Sequence, residues 1–203
     1  HLQQNYFPTR RSSDLSLAML LEAQQRGYEL FYMEQNDLFL SEQHVYARSQ
    51  RLSVNDNPDN WFSLSEQQTI NISDLDVILM RKDPPFDMNY IFTTYLLELA
   101  EAQGTLIVNK PQSLRDATEK LYTAWFPQCT VPSVVSSQPQ QLRTFIDEQQ
   151  DVILKPLDSM GGSSIFHVKQ GDANTNVIIE TLTNNHSKPI MAQRFIPEIK
   201  QGD

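Results

Sequence analysis

Cysteines, long apolar runs and clustered basic residues are scarce in this sequence. Its 203 residues include a single cysteine, Cys129, which excludes an internal disulfide framework and suits a reducing compartment such as the cytoplasm. No apolar run approaches the roughly 20 residues that a membrane span needs. The net charge of −9, without a stripe of Lys or Arg, argues against general nucleic-acid binding. We therefore expect a soluble cytoplasmic protein that binds no membrane and no nucleic acid.

Metal ligands and nucleophiles are also missing as patterns. The four histidines show no metal-ligand spacing. No constellation of residues points at Cys129, which we interpret as a structural thiol rather than a nucleophile. Residues 1–15 show neither helical nor strand periodicity and have no apolar segment of a signal peptide. We interpret them as foreign to the rest of the chain, and as an artefact rather than a targeting segment.

The remaining sequence predicts two units of mixed helix and strand. In residues 16–119, helical patterns alternate with short apolar strands such as 76–80, which implies a doubly wound parallel sheet and an α/β class. A hairpin excursion is expected within residues 37–70. Residues 113–126 are expected to be helical. Residues 120–203 predict a smaller α+β unit that looks cut short.

A stretch of the second unit, VILKPLDSMGGSSIFHV at 152–168, predicts its chemistry. An apolar strand ends in Lys155, a loop carries Gly161 and Gly162, and a strand pattern resumes at Ile165. Glycines let backbone N–H groups approach an anion, and the lysine supplies a positive charge. The stretch predicts a phosphate-binding lid, although a plain hairpin with a Gly-Gly turn and a solvated lysine fits the same residues.

A second candidate site follows the strand at 76–80. In open parallel sheets, ligands bind outside the carboxyl ends of the strands. Arg81, in the sequence RKDPPFD, can grip a carboxylate with two parallel hydrogen bonds, and the two prolines restrict the loop. A charged, solvated loop stiffened by two prolines fits these residues equally well.

Together these residues resemble the bacterial glutathione synthetase family of ATP-grasp ligases. The resemblance runs from about residue 16 to residue 203. The stretches that carry it are AMLLEAQQRGYEL, DVILMRKDPPFD, GTLIVNKPQSLRDATEKL, ILKPLDSMGGSSIF and MAQRFIP. ILKPLD with two glycines alone would indicate only an ATP-grasp fold, whereas RKDPPFD and NKPQSLRDATEKL are specific to this family.

The resemblance implies an enzyme that uses ATP and Mg²⁺ to join γ-glutamylcysteine to glycine through an acyl phosphate. Residues 16–119 would form an N-terminal substrate-binding domain that precedes the ATP-grasp fold, and residues 120–203 the small lid-bearing part of that fold. The full-length protein would be a homo-oligomer, and this chain an N-terminal fragment that is inactive alone. The alternatives are another carboxylate–amine ligase of the same fold, or an ATP-binding module without catalysis.

The resemblance also implies roles for individual residues. Arg81 and Lys155 would be catalytic, with Arg81 on a substrate carboxylate, while Lys120 and Lys155 would hold the nucleotide phosphates. Asp203 would lie near the nucleotide. The loop 159–164 would close over the phosphates, and the last strand would offer backbone hydrogen bonds and an apolar wall to adenine. The nucleotide-binding residues of these two segments would be Ser159, Met160, Gly161, Gly162, Ser163, Gln193, Arg194, Phe195 and Ile196.

Two departures from the family pattern matter. Ser159 stands where the family usually has glycine, so the loop is expected to be slightly stiffer. The family's Mg²⁺ ligands are expected beyond residue 203, so no residue of this chain is assigned to the metal.

Overall fold

The chain divides into two compact units, which the computed structural model describes over residues 15–57, 59–82, 85–159 and 162–201. The described residues of unit 1 are 15–57, 59–82 and 92–111, and those of unit 2 are 85–91, 112–159 and 162–201. The predicted domain boundary between residues 119 and 120 stays a prediction.

The helices and strands fall as follows in the described residues. The helices are α1 (Leu15–Gln25), α2 (Met88–Ala102), α3 (Pro111–Asp116), α4 (Pro139–Gln149) and α5 (Thr175–Leu182). The strands are β1 (Leu30–Tyr32), β2 (Leu38–Ser41), β3 (His44–Val54), β4 (Phe62–Asn71), β5 (Val77–Leu79), β6 (Leu106–Val108), β7 (Ser133–Ser136), β8 (Asp151–Pro156), β9 (Phe166–Lys169) and β10 (Ile190–Arg194). Within the described ranges, no helix has the length and apolar character needed to cross a membrane.

Strand β3 organises the larger sheet of unit 1. It pairs antiparallel with β1, β2 and β4. Its buried positions fall on odd residue numbers up to Ser49 and on even numbers from Leu52. The change coincides with a register shift between Gln50 and Leu52, because an extra residue in a strand moves the following side chains to the other face.

Helix α1 packs on this sheet. Leu17 is buried against Leu52 and Val54 of β3. The side-chain amide of Gln24 donates to the carbonyl of Val54 at 2.7 Å and accepts from its N–H at 2.8 Å, which fixes the helix to the strand. Gly27, with φ +83°, ends the helix in the left-handed conformation that glycine tolerates.

The α/β class is confirmed, and its parallel part is smaller than a doubly wound sheet. Parallel pairing in the described residues joins only β5 to β6, with α2 in the connection between them. The predicted hairpin excursion is confirmed and forms the larger sheet, which is antiparallel because short loops cannot return a chain to a parallel neighbour. Ile78 and Ile107 of the parallel pair share a core with Leu97 of α2.

Unit 2 contains an antiparallel sheet in the order β7-β10-β8-β9. Helices α4 and α5 cover one face of it. Pro139 occupies the first turn of α4, where its missing N–H has no intrahelical partner to lose. The shared core comprises Leu142, Phe145, Ile146, Val152, Leu154, Val168, Ile179, Leu182, Ile190 and Ala192.

The prediction of a helix over residues 113–126 is wrong. Helix α3 ends at Asp116, and a 3-10 helix follows at Leu121–Trp125. The hydroxyl of Thr123 donates to the carbonyl of Lys120 at 2.5 Å, which supports the tighter turn. Asp and Thr have low helix propensity, and their side chains compete for backbone groups. The break turns Lys120 towards the loop that follows β8.

Candidate nucleotide-binding site

The sheet of unit 2 has two faces of different character. Leu154 of β8 lies in the core with α4 and α5, so Ile153 and Lys155, its neighbours in the strand, point the other way. Gln193 of β10 and His167 of β9 both lie opposite Ile153 in the register and share its side. We call this side, with Ile153, Lys155, His167 and Gln193, the site face.

Lys155 is the central cation of the site face. Its ammonium group donates to Oε1 of Gln193 at 3.0 Å. Burial first, and the positive charge of Lys120 second, hold the pKa of Lys155 below its ordinary value, while Glu119 acts in the opposite direction. The charged form of Lys155 is therefore held at a cost, which a nearby anion would offset.

Lys120 lies close to Lys155 and contacts the loop after β8. Only 11% of its side chain is exposed. Its ammonium group donates to the backbone carbonyl of Ser159 and to Oε1 of Glu119, the latter at 2.6 Å. Lys120 thus contacts the start of the loop, and its charge acts on Lys155 at the end of β8. The phosphate-binding roles of both lysines stay predictions.

The start of the loop is also held by Asp158. Its carboxylate accepts from Nζ of Lys188 at 2.7 Å, and its carbonyl accepts from the N–H of Phe86 at 3.4 Å. The hydrogen bond from Lys188 holds the pKa of Asp158 below its ordinary value. Further along, Gly162 adopts φ +75°, and a Cβ built there would meet no atom within 4 Å. The room around Gly162 suits the approach of a ligand.

The chain leaving β10 forms the other border of the site face. The N–H of Phe195 donates to the carbonyl of Asp151 at 3.0 Å, and the N–H of Arg194 donates to the carbonyl of Pro132 at 3.0 Å. In the part of the chain that the structure describes, the carbonyl of Phe195 and the N–H of Ile196 have no hydrogen-bond partner. The two groups belong to one trans peptide and point in opposite directions, so a base can pair with only one of them. The N–H of Ile196 is a donor available for a base.

The sequence reasoning missed His167. Its ring stacks on Phe195 with centroids 4.2 Å apart and planes at 26°, and its Nε2 bonds to Oδ1 of Asp151. Strand alternation was the available signal. Val168 is buried, so its neighbours His167 and Lys169 lie on the opposite face of β9. Its position opposite Ile153 required the pairing of β8 with β9.

The other predicted site residues belong to unit 1, to the exposed part of the loop, or to the residues outside the description. Arg81 belongs to unit 1, where its Nε donates to Oγ of Ser16 at 3.2 Å. Ser163 is exposed, and its carbonyl accepts from the hydroxyl of Ser159 at 3.3 Å. Met160, Gly161 and Asp203 lie outside the described residues. The roles predicted for all of these residues stay predictions.

Acidic and histidine side chains do not gather into a metal site in the described ranges. No group of three or more His, Cys, Asp or Glu residues there could hold a metal ion. No residue of the described ranges is therefore assigned to Mg²⁺.

Solved structures with the same fold are ATP-grasp proteins. A RimK domain ATP-grasp protein from Sphaerobacter thermophilus superimposes with a TM-score of 0.58 at 19% identity, over 93% of this chain and 62% of its own. D-alanyl-alanine synthetase A from Vibrio cholerae gives 0.53 at 10% identity, over 89% of this chain and 54% of its own. Identities this low show the fold alone, and the fold is ATP-grasp.

The sequence itself specifies the family within that fold. Family models of the prokaryotic glutathione synthetase N-terminal domain and ATP-grasp domain match residues 9–115 and 119–203. The chain belongs to the prokaryotic glutathione synthetase family, which confirms the resemblance noted above. The glutathione synthetase of Yersinia pestis is 58% identical over 190 residues, covering 94% of this chain and 60% of the relative. The chain thus spans about 60% of the length of the curated relatives that it matches.

Proposed function

We propose that this chain supplies the N-terminal domain and the lid-bearing part of the ATP site of a glutathione synthetase. Such an enzyme joins γ-glutamylcysteine to glycine at the expense of ATP. The observation that carries the proposal is the pair Lys120 and Lys155, whose ammonium groups lie together beneath the loop that follows β8. Two neighbouring cations, one half-buried and one with only 11% of its side chain exposed, suit a polyanion such as a nucleoside triphosphate.

The two lysines and the loop would act on the phosphates. The terminal phosphoryl group of ATP passes to a carboxylate oxygen of γ-glutamylcysteine, the amine of glycine attacks the acyl carbon, and phosphate leaves. Lys120 and Lys155 neutralise the phosphate oxygens during transfer, because fixed charges in a site shielded from water act strongly. The loop that includes Ser159, Gly162 and Ser163 shields the acyl phosphate from hydrolysis. Mg²⁺ is expected to accompany ATP, and no residue of this chain is assigned to it.

The chain after β10 would bind the base. Adenine presents an acceptor at N1, which complements the N–H of Ile196. Guanine carries a hydrogen on N1 and presents a donor there instead. The N–H of Ile196 would therefore favour ATP over GTP. Ile153 on the site face and the exposed Ile196 side chain offer apolar surface to the base.

Arg81 would serve the other substrate. Its guanidinium group is suited to bind a carboxylate of γ-glutamylcysteine in a bidentate manner. The contact of Nε with Ser16 leaves the other guanidinium nitrogens for that role. This assignment rests on the RKDPPFD sequence that the chain shares with its family.

The test is ADP release by the full-length protein with γ-glutamylcysteine and glycine present. Lys155→Ala should slow turnover by on the order of 10²-fold, because a preorganised charge contributes several kcal/mol to transfer. Lys155→Arg should restore only part of it, since a planar guanidinium does not replace a compact ammonium. The matched control is Lys169→Ala, which removes an exposed lysine of the same hairpin and should keep normal turnover and a normal melting temperature.

Three results would contradict the proposal. A folded Lys155→Ala protein with normal turnover would show that the lysine is merely solvated. ADP release that depends on a different acceptor or amine would indicate another carboxylate–amine ligase of this fold. ATP binding without ADP release under any substrate pair would indicate a module that binds ATP without catalysis.

A further inference from the structure

Three residues form a small cluster at the edge of the site face. Asp151 begins β8, His167 lies in β9, and Phe195 follows β10. The carbonyl of Asp151 accepts from the N–H of Phe195 at 3.0 Å, and its carboxylate bonds to the ring of His167. The ring of His167 in turn stacks on the ring of Phe195, with centroids 4.2 Å apart. We call Asp151, His167 and Phe195 the aromatic clasp.

The clasp fixes both the main chain and the side chain of Phe195. A carboxylate can only accept, so Nε2–H of His167 is the donor to Asp151. This bond orients the imidazole, and the oriented imidazole supports the Phe195 ring at a stacking distance. The main-chain bond to Asp151 then helps to fix the peptide that joins Phe195 to Ile196. Because that peptide is planar, the direction of the Ile196 N–H is fixed with it.

We propose that His167 is a positioning residue for adenine, acting through Phe195 to fix the N–H of Ile196 that binds the base. The proposal rests on the ATP site proposed above and adds the residue that sets its base selectivity. His167 need not touch the nucleotide, because its effect passes through the stacked ring and the main chain of Phe195.

The placement of the clasp argues against a purely structural role. The hydrophobic core of unit 2 lies on the other side of the sheet and includes none of the three residues. Both His167 and Asp151 leave 40% of their side chains exposed, and β8 and β9 are already paired by their backbones. Removing the imidazole should therefore leave the fold intact and loosen only the chain after β10.

The experiment compares ATP with GTP as phosphoryl donors for the full-length protein. His167→Ala should raise the KM for ATP by about five- to tenfold, which corresponds to the loss of one aromatic stacking interaction. The KM for GTP should hardly change, because the N1–H of guanine is a donor and does not pair with the N–H of Ile196. The kcat at saturating ATP should stay close to that of the wild type, since the phosphate ligands are untouched. His44→Ala, which removes an exposed imidazole from β3 of unit 1, is the control.

Two further variants separate the parts of the clasp. His167→Arg should restore ATP affinity, because a guanidinium both stacks on an aromatic ring and bonds to a carboxylate. His167→Phe keeps the stack and loses the bond to Asp151, so its KM should fall between those of the wild type and His167→Ala. Thermal melts of all variants establish that each is folded, and the Arg and Phe variants test the proposal even where the Ala variant unfolds.

The outcomes distinguish this inference from the proposed function. Equal changes in the KM for ATP and GTP, an unchanged KM for ATP, or a loss confined to kcat would overturn the role of His167 while leaving ATP use intact. Failure of His167→Arg to restore affinity would also overturn it. A wild-type protein that binds neither nucleotide would overturn both proposals.

Discussion

The two faces of the sheet in unit 2 show how one set of strands separates stability from function. On the core face, every strand residue of the hydrophobic cluster is 0% exposed, namely Val152, Leu154, Val168, Ile190 and Ala192. On the site face, the same strands present Lys155, His167 and Gln193. Neighbouring residues of a strand alternate between the two faces. One residue therefore contributes to folding, and the next contributes to ligand binding.

The site face lowers stability in the free protein. Lys155 is charged, half-buried and close to Lys120, and its pKa lies below the ordinary value because of burial and that neighbouring charge. Groups whose pKa is shifted by burial together with a specific neighbouring charge are typical of functional sites. The unfavourable charge of Lys155 thus lies on the side of the sheet away from the core.

The largest expected effect comes from adjacent residues on opposite faces. Leu154→Ala should lower the free energy of unfolding by about 2–5 kcal/mol, because it leaves a cavity in a close-packed core. Ile153→Ala, one position earlier, should lower it by only about 1 kcal/mol, since a half-buried side chain loses less burial. Urea unfolding of both variants measures the difference. Equal losses would show that the two faces are not distinct.

A smaller effect is expected at the anchor of the loop. Lys188→Ala removes the ion pair with Asp158. The side chain of Lys188 is 57% exposed and that of Asp158 is 44% exposed. Such partly exposed pairs contribute about 0.2–1 kcal/mol, so amide hydrogen exchange at residues 157–159 should rise by a few fold. Lys169→Ala is the matched control. Unchanged exchange in the Lys188 variant would show that other contacts hold the loop.

The same ion pair predicts a dependence on pH. The pKa of Asp158 lies below its ordinary value of 3.8 because Lys188 donates to the carboxylate. The contribution of the pair is therefore present above about pH 4 and is lost as the pH falls through the lowered pKa. Across this acidic range, amide exchange in the loop of the wild type should become faster relative to the rest of the chain. In the Lys188→Ala protein, loop exchange should already be faster at neutral pH.

The smallest expected effect is a gain in stability at the site face. Lys155→Met keeps a long side chain and removes the buried charge, so the melting temperature near neutral pH should rise slightly. In the wild type, the unfolded chain binds the Lys155 proton more tightly than the folded chain. Stability from this group should therefore increase as the pH rises from the lowered pKa towards 10.5. A Lys155→Met protein with a lower melting temperature would contradict the account of an unfavourable charge.

The sequence was sufficient for features that local patterns encode. Apolar and alternating patterns indicated the strand within residues 76–80 and the hairpin excursion within residues 37–70. The family stretches indicated Lys120 and Lys155 as phosphate ligands, and the charge of Lys120 acts on Lys155 in unit 2. The helix expected over residues 113–126 failed because weak helix formers and the bond from Thr123 to Lys120 favour a tighter turn. Local helix propensity does not show the direction in which the side chain of Lys120 points.

Contacts between distant strands could not be predicted in this way. The bond from Lys188 to Asp158 joins residues 30 positions apart, and the clasp joins β8, β9 and the chain after β10. Each depends on strand order and register, which require the β7-β10-β8-β9 pairing to be known. For the same reason, the bulge in β3 that moves the buried positions could not be read from its residues alone.

The most direct test of the central claim is the pKa of Lys155, measured by NMR of its side chain in the full-length protein with and without a non-hydrolysable ATP analogue. The account predicts a lowered pKa in the free protein that rises when the phosphates bind, since they offset burial and the charge of Lys120. Affinity for the analogue should then be greatest below the free-state pKa and fall as the pH rises through the pKa of the complex. A pKa that is ordinary in the free protein, or that the analogue leaves unchanged, would contradict the assignment of Lys155 to the phosphates.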